Sequence, residues 1–243
     1  MRRIMIDAHV HLNPCGPTAQ ALIDAHRRMT ASTGKHPLSV FMLAEQAGLT
    51  AFAGLRTHGI ATEESESLWL SDKAGDILVL AGRQVVSAEK VEILALATAA
   101  CFPDGQPAEQ LVDAMIDAGA LVILPWGVGK WIGQRGRVID HLLQRDERRQ
   151  ILLGDISARP RFWRERRLRA RPVLRGSDPL PIKGDSRRIG TFGTALDGML
   201  SHHRPAADLR ALMRSDMANA RSFGKPVSAY HLLRDQIRLR LGQ

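Results

Sequence analysis

Short apolar runs alternate with longer amphipathic segments along most of the chain. The short runs predict strands at residues 4–6, 68–70, 77–81, 91–97, 121–124, 151–153 and 173–174. Apolar residues three and four positions apart predict helices over residues 19–29, 39–47, 108–118, 138–150, 206–221 and 227–241. Short strands that alternate with helices are typical of a parallel α/β fold. We therefore expect one barrel-like domain over residues 1–243.

Polar residues follow several of these predicted strands. Residues 4–6 lead into Asp7-Ala8-His9-Val10-His11, and residues 173–174 lead into Gly176-Ser177-Asp178. In barrels of parallel strands the active site is built at the carboxyl ends of the strands. These side chains are therefore candidates for one common site.

His9 and His11 are the strongest candidates for metal ligands. Residues two apart on a strand point to the same side, so both imidazoles can face one ion. Asp7 either supports them from that side or forms hydrogen bonds at the strand end. Neutral imidazole suits Zn, Mn or Fe. Asp178 either binds the same metal or accepts a proton from its water. The alternative is an ordinary histidine pair near a turn, with Gly176 to Pro179 as a second turn.

Residues 6–12, Ile-Asp-Ala-His-Val-His-Leu, resemble the first motif of amidohydrolase-superfamily enzymes and of the related PHP-domain phosphoesterases. Gly176-Ser177-Asp178 resembles their last motif, in which an Asp follows the final strand. The decarboxylase-like branch, with Gly-Ser-Asp-x-Pro, is a second match, although Pro179 comes one place early. The resemblance covers most of the chain loosely. It implies a single distorted TIM-like barrel of the PHP type and a metal-dependent hydrolase.

Other ligand positions of the family differ in this chain. Where the family has a metal-bridging Glu, this chain has Gln84 or Val85, and where it has a His before Leu-Ala-Leu, this chain has Val91 or Glu92. We therefore expect a single divalent metal, or no metal at all, rather than three metals; three protein ligands suffice for a catalytic zinc. Candidates for a further ligand are Asp155, Glu89 and His58.

Positive charge is concentrated in one segment. The chain has 34 Lys and Arg against 25 Asp and Glu, a net charge of +9. Eight arginines and one acid, Glu165, between Arg159 and Arg175 account for +7 of it. This segment faces an acidic ligand or partner, or is a solvated helix face. Only Phe162 and Trp163 interleave with the arginines of residues 161–171, so we expect a small anionic substrate and not a nucleic acid.

Three basic residues follow predicted strands and are candidates for binding an anionic substrate: Lys130, Arg159 and Arg175. Because these residues would bind an anion, we expect the hydrolysed bond to be a phosphoester. A metal-activated water would attack it. One alternative is a catalytically degenerate barrel of the same type that binds a ligand or partner. Another is a nucleic-acid-binding protein that uses residues 159–175.

Composition excludes several classes of protein. With 44% hydrophobic and 24% charged residues, the chain of 243 residues is not intrinsically disordered. No run of about 18 apolar residues predicts a membrane span, and residues 1–7 do not read as a signal peptide. Two cysteines, Cys15 and Cys101, are too few for a disulfide framework, so we expect a cytoplasmic protein.

Overall fold

The computed structural model describes residues 1–12, 18–33, 36–73, 75–160, 162–180 and 185–226. Within these residues the chain forms two mixed β-sheets, with most of the described helices against their outer faces. The strands are β1 (Arg2–Val10), β2 (Leu38–Leu43), β3 (Ile60–Ala61), β4 (Ser67–Asp72), β5 (Gly75–Leu80), β6 (Gly82–Val86), β7 (Glu92–Leu96), β8 (Leu121–Pro125), β9 (Ile151–Ile156), β10 (Val173–Gly176), β11 (Phe192–Gly198) and β12 (Arg221–Gly224). The α-helices are α1 (Thr18–Thr33), α2 (Ala51–Leu55), α3 (Ala108–Asp117), α4 (Gly133–Arg145) and α5 (Pro205–Asp216).

The first sheet has the strand order β12-β11-β1-β2-β5-β4-β3. Its strand β1 runs parallel to β2 and antiparallel to β11. All of β1 from residue 4 to residue 10 is buried. Because β1 has a paired strand on each side and side chains packed on both faces, its buried part begins with three consecutive apolar residues, 4–6, rather than with an alternating pattern.

The second sheet has the order β10-β9-β8-β7-β6. Strands β8, β9 and β10 are parallel, whereas β6 and β7 are antiparallel to their neighbours. Backbone hydrogen bonds connect the two sheets along both edges. The Asp178 N–H donates to the His9 carbonyl (2.9 Å) on one side, and the Gln84 N–H donates to the Glu45 carbonyl (2.9 Å) on the other.

Three apolar cores hold these layers together. The central core lies between the sheets and includes Ile6, Leu94 and Leu174, and α5 packs against it through Leu209. A second core lies between the first sheet and helices α1 and α2. The third lies between the second sheet and helices α3 and α4. Each sheet therefore has an inner face, towards the central core, and an outer face, towards its helices.

The predicted TIM-like barrel of the PHP type is wrong: the described strands form two mixed sheets and not one closed barrel. A TIM barrel requires parallel strands that are each followed by a helix. Here β4 and β5 pair as consecutive antiparallel strands, as do β6 and β7, without an intervening helix. The extent of a single domain over residues 1–243 stays a prediction.

Two predicted helices also differ from the structure. Residues 39–47 were expected to be helical, but Leu38–Leu43 is the buried strand β2, whose two buried faces remove the alternation that identifies a strand. The helix predicted over 206–221 ends at Asp216, and Arg221–Gly224 forms β12. The helix predicted over 227–241 lies outside the described residues.

No helix in the described ranges combines the length and the apolar character needed to cross a membrane. Cys101 is a free, exposed thiol. The cytoplasmic location expected from the cysteine content stays a prediction.

Candidate metal centre

The strand β1 changes its side-chain alternation just where the histidines lie. Its register with β2 shifts between Asp7 and Val10. Met5 and Val10, five residues apart, both contact the core under α1, which regular alternation does not allow. The shift places His9 and His11 on the inner side of the sheet, at one end of the central core.

Asp7 does not join the histidines. Its Oδ1 accepts the Ser177 N–H (2.8 Å), and its Oδ2 accepts the Gly190 N–H (2.8 Å). Burial raises the pKa of Asp7 to about 6, although these N–H groups favour the ionised form. The carboxyl group therefore ties β1 to two distant segments of the chain, and of the two roles expected for Asp7 the structure shows hydrogen bonding at the strand end and not metal binding.

His9, His11 and Asp178 converge on one point. The two imidazole Nε2 atoms are 3.0 Å apart, and the Asp178 Oδ1 lies 3.5 Å from that of His9 and 3.4 Å from that of His11. One ligand atom from each residue lies within 4.8 Å of the others. In the described part of the chain, no other group of three or more His, Cys, Asp or Glu side chains meets this condition.

The electrostatics of these groups suit a cation. Burial lowers the pKa of His9, which keeps its imidazole in the neutral form that metals bind. Burial alone would raise the pKa of Asp178, but His9, His11 and Lys130 together hold it well below its usual range. The centre therefore offers two imidazole nitrogens and one carboxylate. The side chains of His11 and Asp178 are each 21% exposed, so solvent reaches it.

The Gly-Ser-Asp sequence has a structural explanation at each end. A Cβ atom on Gly176 would lie 2.3 Å from the His9 backbone nitrogen, so only glycine permits β10 to approach β1 this closely. Asp178 has a φ of +47°, which few residues other than Gly, Asn and Asp adopt easily. This backbone conformation brings its carboxylate to the histidines.

Three more polar side chains surround the centre. The Gln84 Oε1 lies 3.2 Å from the His9 Nε2, on the inner face of β6. Glu92 lies on the inner face at the start of β7, and its charge raises the pKa of His9. The Lys130 Nζ pairs with the Glu92 carboxylate at 2.5 and 2.6 Å. Lys130 was predicted from sequence; Gln84 and Glu92 were noted only as departures from the family pattern.

Arg159 and Arg175 were predicted to bind substrate, but they lie elsewhere. Arg159 forms a two-point ion pair with Asp155 at 2.6 and 2.8 Å and donates to the Trp163 carbonyl (2.7 Å). Asp155 and Arg175 are register partners on β9 and β10. Both share the outer face of the second sheet with Leu153, whereas the histidines face its inner side. The structure does not bring these arginines to the metal centre.

The three candidates for a further ligand also lie apart from the centre. Asp155 is bound by Arg159. Glu89 accepts the Ala108 N–H at the start of α3, and His58 is exposed beside Thr57. The carboxylate that does lie near the centre is that of Glu92, which the sequence did not predict as a ligand. A charged residue at the start of a strand gives the same sequence pattern whether its side chain faces a site or solvent.

No protein-family model and no curated protein matches the chain. Solved structures with a similar fold include PsfC from Pseudomonas syringae PB-5123, with a TM-score of 0.56 and 11% identity over 100% of both chains. The lesion-specific endonuclease PfuEndoQ from Pyrococcus furiosus has a TM-score of 0.55 and 12% identity, over 88% of this chain and 56% of its own. An endonuclease Q complex with a 27-mer duplex substrate, with an abasic lesion at the active site, has a TM-score of 0.51 and 12% identity, over 93% and 60%. The chain therefore shares a fold with these proteins and spans little more than half the length of the endonucleases.

These structures correct the expectation about partners. We did not expect a nucleic acid, because only Phe162 and Trp163 interleave with the arginines of residues 161–171. Endonucleases nevertheless share this fold, and one of them holds a 27-mer duplex. The expectation of a small anionic substrate instead of a nucleic acid is therefore wrong.

Proposed function

We propose that this chain is a metal-dependent hydrolase of phosphoester bonds. The observation that carries the proposal is the convergence of His9, His11 and Asp178 at one end of the central core, where solvent has access to them. The donor set fits a divalent ion such as Zn, Mn or Fe, since two imidazoles and one carboxylate leave further positions for water and substrate. The fold shared with an endonuclease supports phosphoester chemistry over amide chemistry.

A bound divalent ion supplies a Lewis acid for the phosphoryl oxygen and lowers the pKa of a coordinated water. The chain's own residues hold and orient the reactants. The Gln84 Oε1 lies 3.2 Å from the His9 Nε2, beside the position that an ion would take, and the Gly176 backbone packs against His9 and holds it in place. Asp178 presents Oδ1 to both histidines, which leaves Oδ2 to accept a proton from the attacking water.

Lys130 is the residue we assign to the substrate phosphate. Its ammonium group is held by Glu92 and its charge acts on Asp178, so it lies at the edge of the centre. Its side chain is 41% exposed, which leaves it within reach of a ligand. An arriving phosphate shares the ammonium group with Glu92 or replaces Glu92 as its partner.

The first experiment measures metal content by mass spectrometry in protein that is purified without chelator or His-tag. We expect stoichiometric Zn, Mn or Fe in the unmodified chain and none in the His9→Ala, His11→Ala variant. Hydrolysis of bis(4-nitrophenyl) phosphate in the presence of the same metal is expected to follow the metal content. An amide substrate, 4-nitroacetanilide, is expected to remain intact.

A His58→Ala, His141→Ala variant is the matched control, because it removes two exposed imidazoles away from the centre. It is expected to keep both metal and activity. Absence of metal from the unmodified chain, even after incubation with each ion, would contradict the proposal. Bound metal without hydrolysis of any phosphoester would instead support the alternative of a ligand-binding protein.

A further inference from the structure

Residues 162–169 follow β9 and contain four arginines and one glutamate, which give them a net charge of +3. Exposure alternates along them: Phe162, Arg164 and Arg166 are exposed, whereas Trp163 and Glu165 are partly buried. The segment is not the solvated helix that was one expectation for it, since its only helical part is a single 3₁₀ turn at Arg167–Arg169. One side of the segment therefore faces the protein and the other faces solvent.

The inward side is firmly attached. Trp163 packs edge-on against Trp126, with ring centroids 5.7 Å apart, and its carbonyl accepts a hydrogen bond from Arg159. Arg167 forms a two-point ion pair with Asp140 at 2.6 and 2.8 Å. These contacts fix the conformation of the segment, so its outward side chains have a defined arrangement.

The outward side carries charge that the protein does not neutralise. We name it the arginine strip and define it as Phe162, Arg164, Arg166 and Arg169. All four side chains are exposed, and the Phe162 residue is 75% exposed. Within the described ranges, none of these three guanidinium groups forms an ion pair or hydrogen bond. The neighbouring Arg159, Arg167 and Arg171, in contrast, are all paired with acids.

The arginine strip begins on the same side of the molecule as the metal centre and leads away from it along α4, since Arg167 pairs with Asp140 and Arg171 with Asp146. It follows the carboxyl end of β9, and Asp178 follows the carboxyl end of the parallel strand β10. Trp126, against which the segment packs, begins the loop that carries Lys130. The Phe162 end of the strip is therefore the end that adjoins the loop of Lys130, and a bound strand reaches the centre from that end.

Resting on the proposed function, we infer that the arginine strip is the docking surface for single-stranded nucleic acid, which delivers a phosphodiester to the metal centre. Arginines neutralise backbone phosphates without regard to sequence, and an exposed aromatic ring stacks on an unpaired base. An acidic peptide offers charge but no base for Phe162. The combination of three unpaired arginines with an exposed phenyl ring therefore favours a nucleic-acid strand.

The experiment measures binding of a fluorescein-labelled single-stranded DNA 20-mer by anisotropy, without metal, from 50 to 300 mM salt. The Arg164→Ala, Arg166→Ala, Arg169→Ala variant is expected to bind at least about tenfold more weakly, with a salt dependence that is lower by about two units of slope. Phe162→Ala is expected to weaken binding about tenfold with the salt slope unchanged.

An Arg148→Ala, Arg214→Ala, Arg221→Ala variant is the matched control, because it removes three exposed arginines that lie on other elements. It is expected to bind within about twofold of the unmodified chain. Equal losses in both triple variants would show that only total charge matters and would overturn the inference. So would competition by polyglutamate as strong as that by unlabelled DNA, or an unchanged affinity in Phe162→Ala.

The two proposals fail in different ways. If only the docking inference is wrong, the arginine variant still binds metal and still cleaves single-stranded DNA with an unchanged KM. If only the hydrolase proposal is wrong, the strip variants lose DNA affinity as expected, but the unmodified chain shows no cleavage with any metal. Measuring metal content, cleavage and anisotropy on the same preparations separates the two outcomes.

Discussion

Two groups of charged side chains lie near the carboxyl ends of the strands, on opposite faces of the second sheet. On the inner side, Asp178 approaches His9 and His11 at 3.4 to 3.5 Å. On the outer side, Asp155 binds Arg159 through two hydrogen bonds of 2.6 and 2.8 Å. The outer carboxylate is fully engaged by a protein cation, whereas the inner carboxylate is held at longer distances beside two imidazoles.

This difference separates structural charge from charge that is available for a ligand. A two-point arginine–carboxylate pair is geometrically complete and leaves little attraction for another ion. Two imidazoles and a carboxylate that face one point, without a strong bond among them, gain a partner when a cation enters. The same distinction divides the arginines of residues 159–175 into paired ones and those of the arginine strip.

The largest effect is expected at the contact between β10 and β1. Gly176→Ala places a Cβ against the His9 backbone, so the strands must separate. We expect a loss of more than about 3 kcal/mol in the free energy of unfolding, measured by urea denaturation, and loss of metal binding. A normal stability with intact metal binding would show that this close approach is not needed.

Gly54→Ala serves as its control. Gly54 lies in α2, and an added Cβ there meets nothing within 4 Å. Alanine in a helix is favoured over glycine, so we expect a gain of about 0.5 to 1 kcal/mol. The two substitutions add the same methyl group and are expected to change stability in opposite directions.

The second effect tests the comparison directly. Asp155→Asn leaves the half-buried Arg159 without its carboxylate, and we expect a loss of about 2 to 3 kcal/mol measured in chelator. At a metal concentration one hundred times Kd, the unmodified chain is expected to gain about 3 kcal/mol in the free energy of unfolding. Asp178→Asn is expected to abolish this gain. Asp155→Asn is expected to keep that gain. Metal-induced stabilisation of Asp178→Asn, or its loss in Asp155→Asn, would reverse the assignment of the two carboxylates.

A third change strengthens the inner group. Gln84→Glu replaces an amide oxygen 3.2 Å from the His9 Nε2 with a carboxylate. An additional charged ligand raises metal affinity, and we expect about tenfold tighter binding by isothermal titration calorimetry. The control is Arg83→Lys on the outer face of the same strand, which is expected to leave affinity unchanged. Weaker binding in Gln84→Glu would place the ion away from β6.

The smallest effect is expected from Lys130→Met. Its pair with Glu92 is partly exposed and contributes little to stability. We expect unchanged metal content and a KM for bis(4-nitrophenyl) phosphate that rises about fivefold with kcat nearly unchanged. A decrease in kcat at constant KM would indicate that the ammonium group acts in the transition state and not in binding.

The sequence predicted the position of the centre better than it predicted the fold around it. Asp178 and the histidines are 167 or more residues apart in sequence, yet their places after strands were enough to bring them together. The spacing rule that paired His9 with His11 also grouped Asp7 with them. That grouping failed because the register shift in β1 depends on pairing with β2 and leaves no trace in the local sequence.

Other features depend on tertiary pairing in the same way. The strand β2 has two buried faces, so residues 39–43 show no alternation that distinguishes them from a short helix. Arg175 lies on the outer face of β10, and a shift of one residue along the strand would place it on the inner face. The predicted strand covered only residues 173–174, which is too short to show which face the next residue takes. The net charge of residues 159–175 can be counted from the sequence. Which of their arginines are paired cannot, because the acids that pair with them lie mainly on α4 and β9.

The hydrogen bonds of Asp7 have a consequence for folding. They join the first strand to Ser177 and Gly190, 170 and 183 residues later in the chain. Contacts between residues so far apart in sequence form late and slow the search for the native state. A chain in which Gly190 has not yet packed against β1 lacks the only hydrogen bond described for the Asp7 Oδ2. The environment of His9 and His11 is therefore complete only after segments about 170 to 180 residues further along the chain have packed against β1.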